Sequence, residues 1–173
     1  MRYNTRMSSR INIALIGMPG AGKSTVGVLL AKEAGMSFID TDLLIQQGEG
    51  LLLQDIIDRD GVDAFCDLEA EYVGRLACAS TVIATGGSVI YRAGTLEHLG
   101  RLGPRVFLDI SLDSLAPRIA NLATRGTVRM PGQSFADLYA TRRPLYQSFS
   151  DITIDCDGMT PADVCMAILA ALT

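Results

Sequence analysis

Only one histidine, His98, occurs in the chain, and its four cysteines, Cys66, Cys78, Cys156 and Cys165, form no close pair. A structural zinc site needs four nitrogen or sulfur ligands, usually in tight pairs, so none is expected. With no secretory signal, reduced thiols in a cytoplasmic protein are the expected state. No apolar run reaches the length of a membrane span. The net charge is −4, which leaves no general attraction for nucleic acid. Repeats, low-complexity stretches and linkers are also missing. Residues 1–10 are polar with three arginines and are expected to form a solvated tail, with Met7 as an alternative start.

What remains is an ordinary globular balance: 173 residues, 49% hydrophobic and 20% charged. That is enough for one domain with a sizeable core, read as residues 11–173. Apolar runs at Ile11–Ile16, Ser37–Ile39, Thr81–Ala84, Arg105–Asp109 and Asp151–Asp155 read as strands. Helical patterns lie between them, at Val26–Ala34, Leu51–Arg59, Val62–Ala77, Tyr91–Leu99 and from Ser111 or Asp113 to about Ala120. Two more run over Phe135–Phe149, where Pro144 is expected to kink or end the helix, and over Thr160–Leu172. Strands alternating with helices predict an α/β fold with a parallel sheet covered on both faces. Ligands of such sheets sit beyond the carboxyl ends of the strands.

The most telling stretch is Gly17-Met18-Pro19-Gly20-Ala21-Gly22-Lys23-Ser24-Thr25. It follows a strand, opens a helix and fits G-x-x-x-x-G-K-[ST], the phosphate-binding P-loop pattern. Its backbone N–H groups and the helix N-terminus converge on one anion site. Gly17, Gly20, Ala21, Gly22, Lys23, Ser24 and Thr25 are therefore assigned to a nucleoside triphosphate, with Lys23 on the terminal phosphates and the Ser24 hydroxyl on Mg²⁺.

Phosphoryl transfer needs charge neutralisation and a group that orients the accepting hydroxyl. Asp40 and Asp42 flank Thr41 at the end of the second strand. If the chain stays extended there, the two point to opposite sides. One then faces Mg²⁺ through water and the other the acceptor, the alternative being a helix cap. Gly86-Gly87 after a buried strand permits close backbone approach to a ligand. Arg118, Arg125, Arg129, Arg142 and Arg143 crowd around residues 121–133, a loop expected to act as a lid.

Taken together the chain resembles the shikimate kinases. The resemblance rests on Gly17–Thr25, Phe38-Ile39-Asp40-Thr41-Asp42, Ala64-Phe65-Cys66-Asp67-Leu68-Glu69 and Ala84-Thr85-Gly86-Gly87-Ser88. It extends to Arg118 with Arg125 seven residues later, and to Arg142-Arg143-Pro144-Leu145-Tyr146. It implies a three-layer P-loop kinase fold with a five-stranded parallel sheet. It also implies ATP- and Mg²⁺-dependent phosphorylation of shikimate to shikimate 3-phosphate, on the route to aromatic amino acids. By position, Lys23, Asp42 and Arg125 would be catalytic, and Ser24 and Asp40 would hold the metal. Arg118, Arg125 and Asp157 would flank the nucleotide. Asp42, Cys66, Gly86, Gly87, Ser88 and Arg142 would contact the acceptor, with Arg142 on its carboxylate.

Three departures stand out within that resemblance. Cys66 takes the place of an arginine that would share the acceptor carboxylate. A thiol supplies neither fixed charge nor forked donor, a loss of about 1.5–3 kcal/mol of binding. Ser88 replaces the third glycine of a triplet. Arg125 is followed by Gly126-Thr127-Val128 rather than proline and leucine, which leaves Arg129-Met130-Pro131 as the alternative lid arginine segment. Arg59, Arg129 or Arg143 could replace the charge lost at Cys66. Alternatively Asp67 and Glu69, if they face the pocket unpaired, would favour an acceptor with an ammonium group such as homoserine. A nucleotide-dependent switch without turnover and a nucleoside monophosphate kinase are the further alternatives. The chain is expected to be a cytoplasmic monomer acting on a small hydroxy-carboxylate, with no nucleic-acid or membrane partner.

Overall fold

The P-loop follows the middle strand of a five-stranded parallel sheet in the computed structural model, which describes residues 11–119, 128–129 and 132–172. The strands are β1 (Ile13–Ile16), β2 (Ser37–Asp40), β3 (Thr81–Ala84), β4 (Arg105–Asp109) and β5 (Ile152–Asp155), in the order β2-β3-β1-β4-β5. In register, Ile13 lies opposite Val82 on one side and Leu15 opposite Val106 on the other. All four residues of β1 and of β3 are buried, as a sheet covered on both faces requires. The chain builds one edge of the sheet with β2 and β3, then crosses β1 to add β4 and β5. That reversal leaves a crevice at the carboxyl ends beside β1.

Eight helices among the described residues flank the sheet. They are α1 (Lys23–Ala34), α2 (Thr41–Glu49), α3 (Leu53–Asp60), α4 (Val62–Gly74), α5 (Ala93–Leu102), α6 (Leu112–Ile119), α7 (Phe135–Phe149) and α8 (Pro161–Ala171). A 3₁₀ turn, Val89–Tyr91, precedes α5. The main core lies between helices and sheet. A second, smaller cluster joins Ile45 of α2, Ile56 of α3, Phe65 and Cys66 of α4, and Val128. Buried Asn12 ties the sheet base together. Its amide donates to Cys78 O at 2.8 Å and Leu102 O at 3.2 Å, and its Oδ1 accepts from Thr81 N at 3.0 Å.

Two local expectations are corrected. The chain does not stay extended past Asp40; α2 begins at Thr41, because Asp40 Oδ1 accepts the otherwise unpaired amides of Asp42 at 3.0 Å and Leu43 at 3.4 Å. Pro144 does not end its helix, and α7 continues to Phe149. Residues on both sides of the proline are anchored to one atom. The Gly87 carbonyl accepts from Arg142 Nη1 at 2.9 Å and from Tyr146 Oη at 2.5 Å. Tertiary contacts thus outweigh the helix hydrogen bond that proline removes. The second, third and fourth helices of the expected pattern shift by a few residues, whereas β3 and β4 keep their expected bounds.

Candidate active site

The crevice opens into a cavity of about 410 Å³ whose two ends differ in origin. One end is the P-loop. Gly17 leaves β1 with φ of +148°, and a Cβ there would lie 2.9 Å from Leu108 O, so only glycine fits the turn. The loop delivers Lys23, Ser24 and Thr25 to the first turn of α1, where all three line the cavity. Lys23 is buried and its Nζ donates to the carbonyls of Gly17 at 2.7 Å and Met18 at 3.0 Å. Burial lowers its pKa to about 8, with Asp42 pulling it back up and Arg142 pushing it down. The hydroxyl-bearing Ser24 and Thr25 are exposed. Arg118, at the end of α6, lines the same space and Nη1 donates to Gly20 O at 3.4 Å.

The rest of the lining is assembled from segments that are separate in sequence. Asp42, in the first turn of α2, lines the same cavity as the P-loop and lies close enough to Lys23 for their charges to interact. Its pKa rises to about 6, first by burial and then by Asp40, while Lys23 opposes the shift. Gly86, Gly87 and Ser88 supply the wall after β3. Gly86 N donates to Thr41 Oγ1 at 3.1 Å, which fixes the wall to α2. A Cβ on Gly86 would lie 2.1 Å from Glu69 Oε1 and 2.7 Å from Asp42 Oδ1, so this glycine leaves room for two carboxylates.

Arg142 closes that end. It is fully buried yet lines the cavity, with Nε donating to Tyr91 Oη at 2.9 Å, Nη1 to Gly87 O at 2.9 Å and Nη2 to Val128 O at 2.6 Å. Its guanidinium carbon also sits 4.9 Å from the centre of the Tyr91 ring. Three of its five N–H donors point at these partners, and the planar fork retains capacity for an anion. Tyr91, which holds it, lies on the 3₁₀ turn, far from α7 in sequence. Sequence reasoning missed the role of Tyr91, since no local pattern links it to Arg142.

Several expected residues stand elsewhere. Cys66 packs in the small apolar cluster with Phe65 and does not line the cavity, and burial followed by Glu69 pushes its thiol up to about 11. Asp157 accepts from Ser111 N at 3.1 Å and Ser111 Oγ at 3.0 Å, tying β5 to the start of α6 outside the cavity. Asp67 does not face the pocket unpaired: its Oδ1 accepts from Arg92 Nε at 2.7 Å. Neither Arg59 nor Arg143 replaces a charge at Cys66, because they pair with Asp60 and with Asp109. Glu69 is buried, and Ser88 Oγ donates to its Oε2 at 2.6 Å. Arg125, Met130, Pro131 and most of the expected lid at 121–133 lie outside the described residues.

The sequence and the fold have counterparts among known proteins. A family model described as shikimate kinase matches residues 19–173. A shikimate kinase of Pseudomonas aeruginosa (strain LESB58) is 37% identical over 165 residues, covering 94% of this chain and 96% of its own. One from Moorella thermoacetica is 37% identical over 164 residues, covering 93% and 94%. The solved structure of shikimate kinase from Acinetobacter baumannii in complex with shikimate superposes with a TM-score of 0.87. It is 31% identical and covers 94% of this chain and 93% of its own.

Proposed function

Since the chain belongs to the shikimate kinase family, we propose that it transfers the γ-phosphoryl group of ATP to a ring hydroxyl of shikimate, giving shikimate 3-phosphate and ADP. The observation that carries this reading is one cavity lined by the P-loop with Lys23 and also by Asp42 and Arg142. A phosphoryl donor suits the loop and Lys23, and an anionic hydroxy-acid suits Arg142, by charge.

The nucleotide phosphates lie on the loop amides and the α1 N-terminus, with Lys23 Nζ exchanging a carbonyl for phosphate oxygen. Arg142 takes the acceptor carboxylate and so points the ring hydroxyl toward the loop. Asp42 accepts the hydroxyl proton while the new oxygen–phosphorus bond forms and the bond to ADP breaks in line. With its pKa at about 6, Asp42 is largely ionised at neutral pH and close enough to it to act as a base. Lys23 stabilises charge spreading over the transferring group.

The Ser24 hydroxyl and the Asp42 carboxylate line the cavity, and the Asp40 carboxylate, though it caps α2, lies within electrostatic reach of Lys23; such oxygen donors suit a hard cation. Ser24, and Asp40 through water, would hold Mg²⁺, which when bound neutralises β- and γ-phosphate charge. Among the described residues no three His, Cys, Asp or Glu side chains gather as a metal site. A metal shared with phosphates and water is consistent with that sparse donor set. No described helix is long and apolar enough to cross a membrane. The reading carries a cytoplasmic monomer with it.

The test is a coupled ADP-release assay of the purified chain with ATP, Mg²⁺ and either shikimate, homoserine or no acceptor. Turnover with shikimate alone is expected. Turnover without any acceptor, or with homoserine in preference, would overturn the reading.

A further inference from the structure

We propose that Tyr91 is a positioning residue for the acceptor: its phenol takes up the Nε–H of Arg142 without cancelling the charge, which leaves the Nη edge of the guanidinium to bind a carboxylate. The inference rests on the acceptor being an anion held by Arg142, as the proposed function has it.

Arg142 is fully buried, and its three partners are neutral oxygens. Nε donates to Tyr91 Oη at 2.9 Å, Nη1 to Gly87 O at 2.9 Å and Nη2 to Val128 O at 2.6 Å. Among the described residues no carboxylate forms an ion pair with it. Its neighbour Arg143 shows the contrary arrangement, pairing with Asp109 away from the cavity lining. A buried guanidinium without a counter-ion keeps its whole charge for an incoming anion.

The partner of Nε decides this. A carboxylate there would satisfy the donor and neutralise the cation. The phenol satisfies the donor and leaves the cation intact, and its ring, centred 4.9 Å from the guanidinium carbon, favours the charge. With Nε occupied, the side-on fork of Nε and Nη2 is closed to a ligand. The end-on fork remains, with one N–H free on each Nη nitrogen. That edge lies beside the P-loop: a Cβ on Gly87 would sit 3.1 Å from Nη1 and 3.0 Å from Pro19 Cγ. Tyr91 itself does not line the cavity, whereas Arg142, Gly87 and Pro19 do, so it acts through the arginine.

The phenol is held in turn from α4. Tyr91 ends the 3₁₀ turn, its N–H donating to Ser88 O at 2.9 Å. The next residue, Arg92, donates from Nε to Asp67 at 2.7 Å and from Nη2 to Asp63 at 2.6 Å, both on α4. The turn is thus pinned between α4 and α7. The guanidinium cannot rotate without giving up Tyr91, and its orientation is set before the ligand arrives.

Steady-state kinetics of the full chain with ATP, Mg²⁺ and shikimate tests this in Tyr91→Phe, which keeps the ring and removes only the oxygen. The shikimate KM is expected to rise about tenfold, with kcat and ATP KM within about twofold of the wild type. Arg142→Lys and the double variant complete a cycle. A lysine has no guanidinium edge to orient, so adding Tyr91→Phe to it should raise KM by less than about twofold more. Should the lysine variants be too weak to assay, the split between shikimate KM and the other two constants in Tyr91→Phe decides. An unchanged shikimate KM overturns the proposal, as does a rise matched by equal losses in kcat or ATP KM. The same rise on the lysine background, or a Tyr91→Phe chain that does not fold, makes the residue merely structural and overturns it too. Each of these leaves the proposed function standing while the wild type phosphorylates shikimate. A wild type that does not turn over shikimate overturns the proposed function and this inference with it.

Discussion

The two ends of the cavity are built on opposite plans. The phosphate end comes from nine consecutive residues, Gly17–Thr25, carried by one strand and one helix. The acceptor end is gathered from α2, α4, the wall after β3, and α7, and each part is held by another. Thr41 holds Gly86, Gly87 holds Arg142 and Tyr146, and Ser88 holds Glu69. A local turn needs only its own backbone conformation. A wall assembled from distant segments needs side chains matched across the fold. The phosphate end therefore follows a short general pattern, while the acceptor end is where this chain is particular.

Substitutions can separate the two plans. Lys23→Met should have the largest effect, lowering kcat by about 10³-fold with a much smaller change in shikimate KM, because the charge acts mainly on the transferring group. A comparable rise in KM would show that the two ends are not separable. Arg142→Lys should do the reverse. Loss of the fork should raise shikimate KM by roughly ten- to a hundredfold, with ATP KM little altered. Steady-state kinetics in both substrates distinguishes the patterns.

Gly86→Ala probes the packing of the wall itself. Its Cβ would meet Glu69 Oε1 at 2.1 Å, so one carboxylate must move. A loss of about 1–3 kcal/mol in chemical denaturation is expected, together with weakened shikimate binding. Unchanged stability would mean that the Glu69 carboxyl swings aside freely.

The smallest effect expected is on stability against pH in the ligand-free protein. Glu69 rises from an ordinary 4.5 to about 7 and Asp42 from 3.8 to about 6. The folded state then binds more protons than the unfolded chain across that window. The acceptor end contributes stability below about pH 4 that is lost as pH rises through about 6 and 7. Lys23 behaves oppositely. Its pKa falls from 10.5 to about 8, so the phosphate end contributes stability above that ordinary value that is lost as pH falls through about 8. Melting temperatures across pH 4–9 should decline toward neutrality, and Glu69→Gln should flatten the decline. An identical decline in that variant would assign it to Asp42 alone.

Much of the fold was readable along the chain. The strands β3 and β4 and helix α7 have the bounds that their apolar pattern predicts. Helix α2 was not, because Phe38-Ile39-Asp40-Thr41-Asp42 reads as a strand end whose continuation is undetermined. Only the Asp40 carboxylate folding back on the Asp42 and Leu43 amides starts the helix there. Pro144 misled for a related reason. A proline rule describes an isolated helix, and α7 is clamped on both sides of that residue.

The sequence by itself determined the P-loop and the parallel α/β order and offered Asp42, Gly86 and Gly87 as candidates, since periodicity and local backbone chemistry are written in neighbouring residues, while Arg142 stood out from its four companions only by family resemblance. Tertiary structure alone decided the rest. It withdrew Cys66 into an apolar cluster, tied Asp67 to Arg92, buried Arg142 beneath Tyr91, and paired Glu69 with Ser88 while leaving one oxygen unmatched. Burial and charge partners come from residues brought together across the fold, and no local spacing encodes which of them will meet.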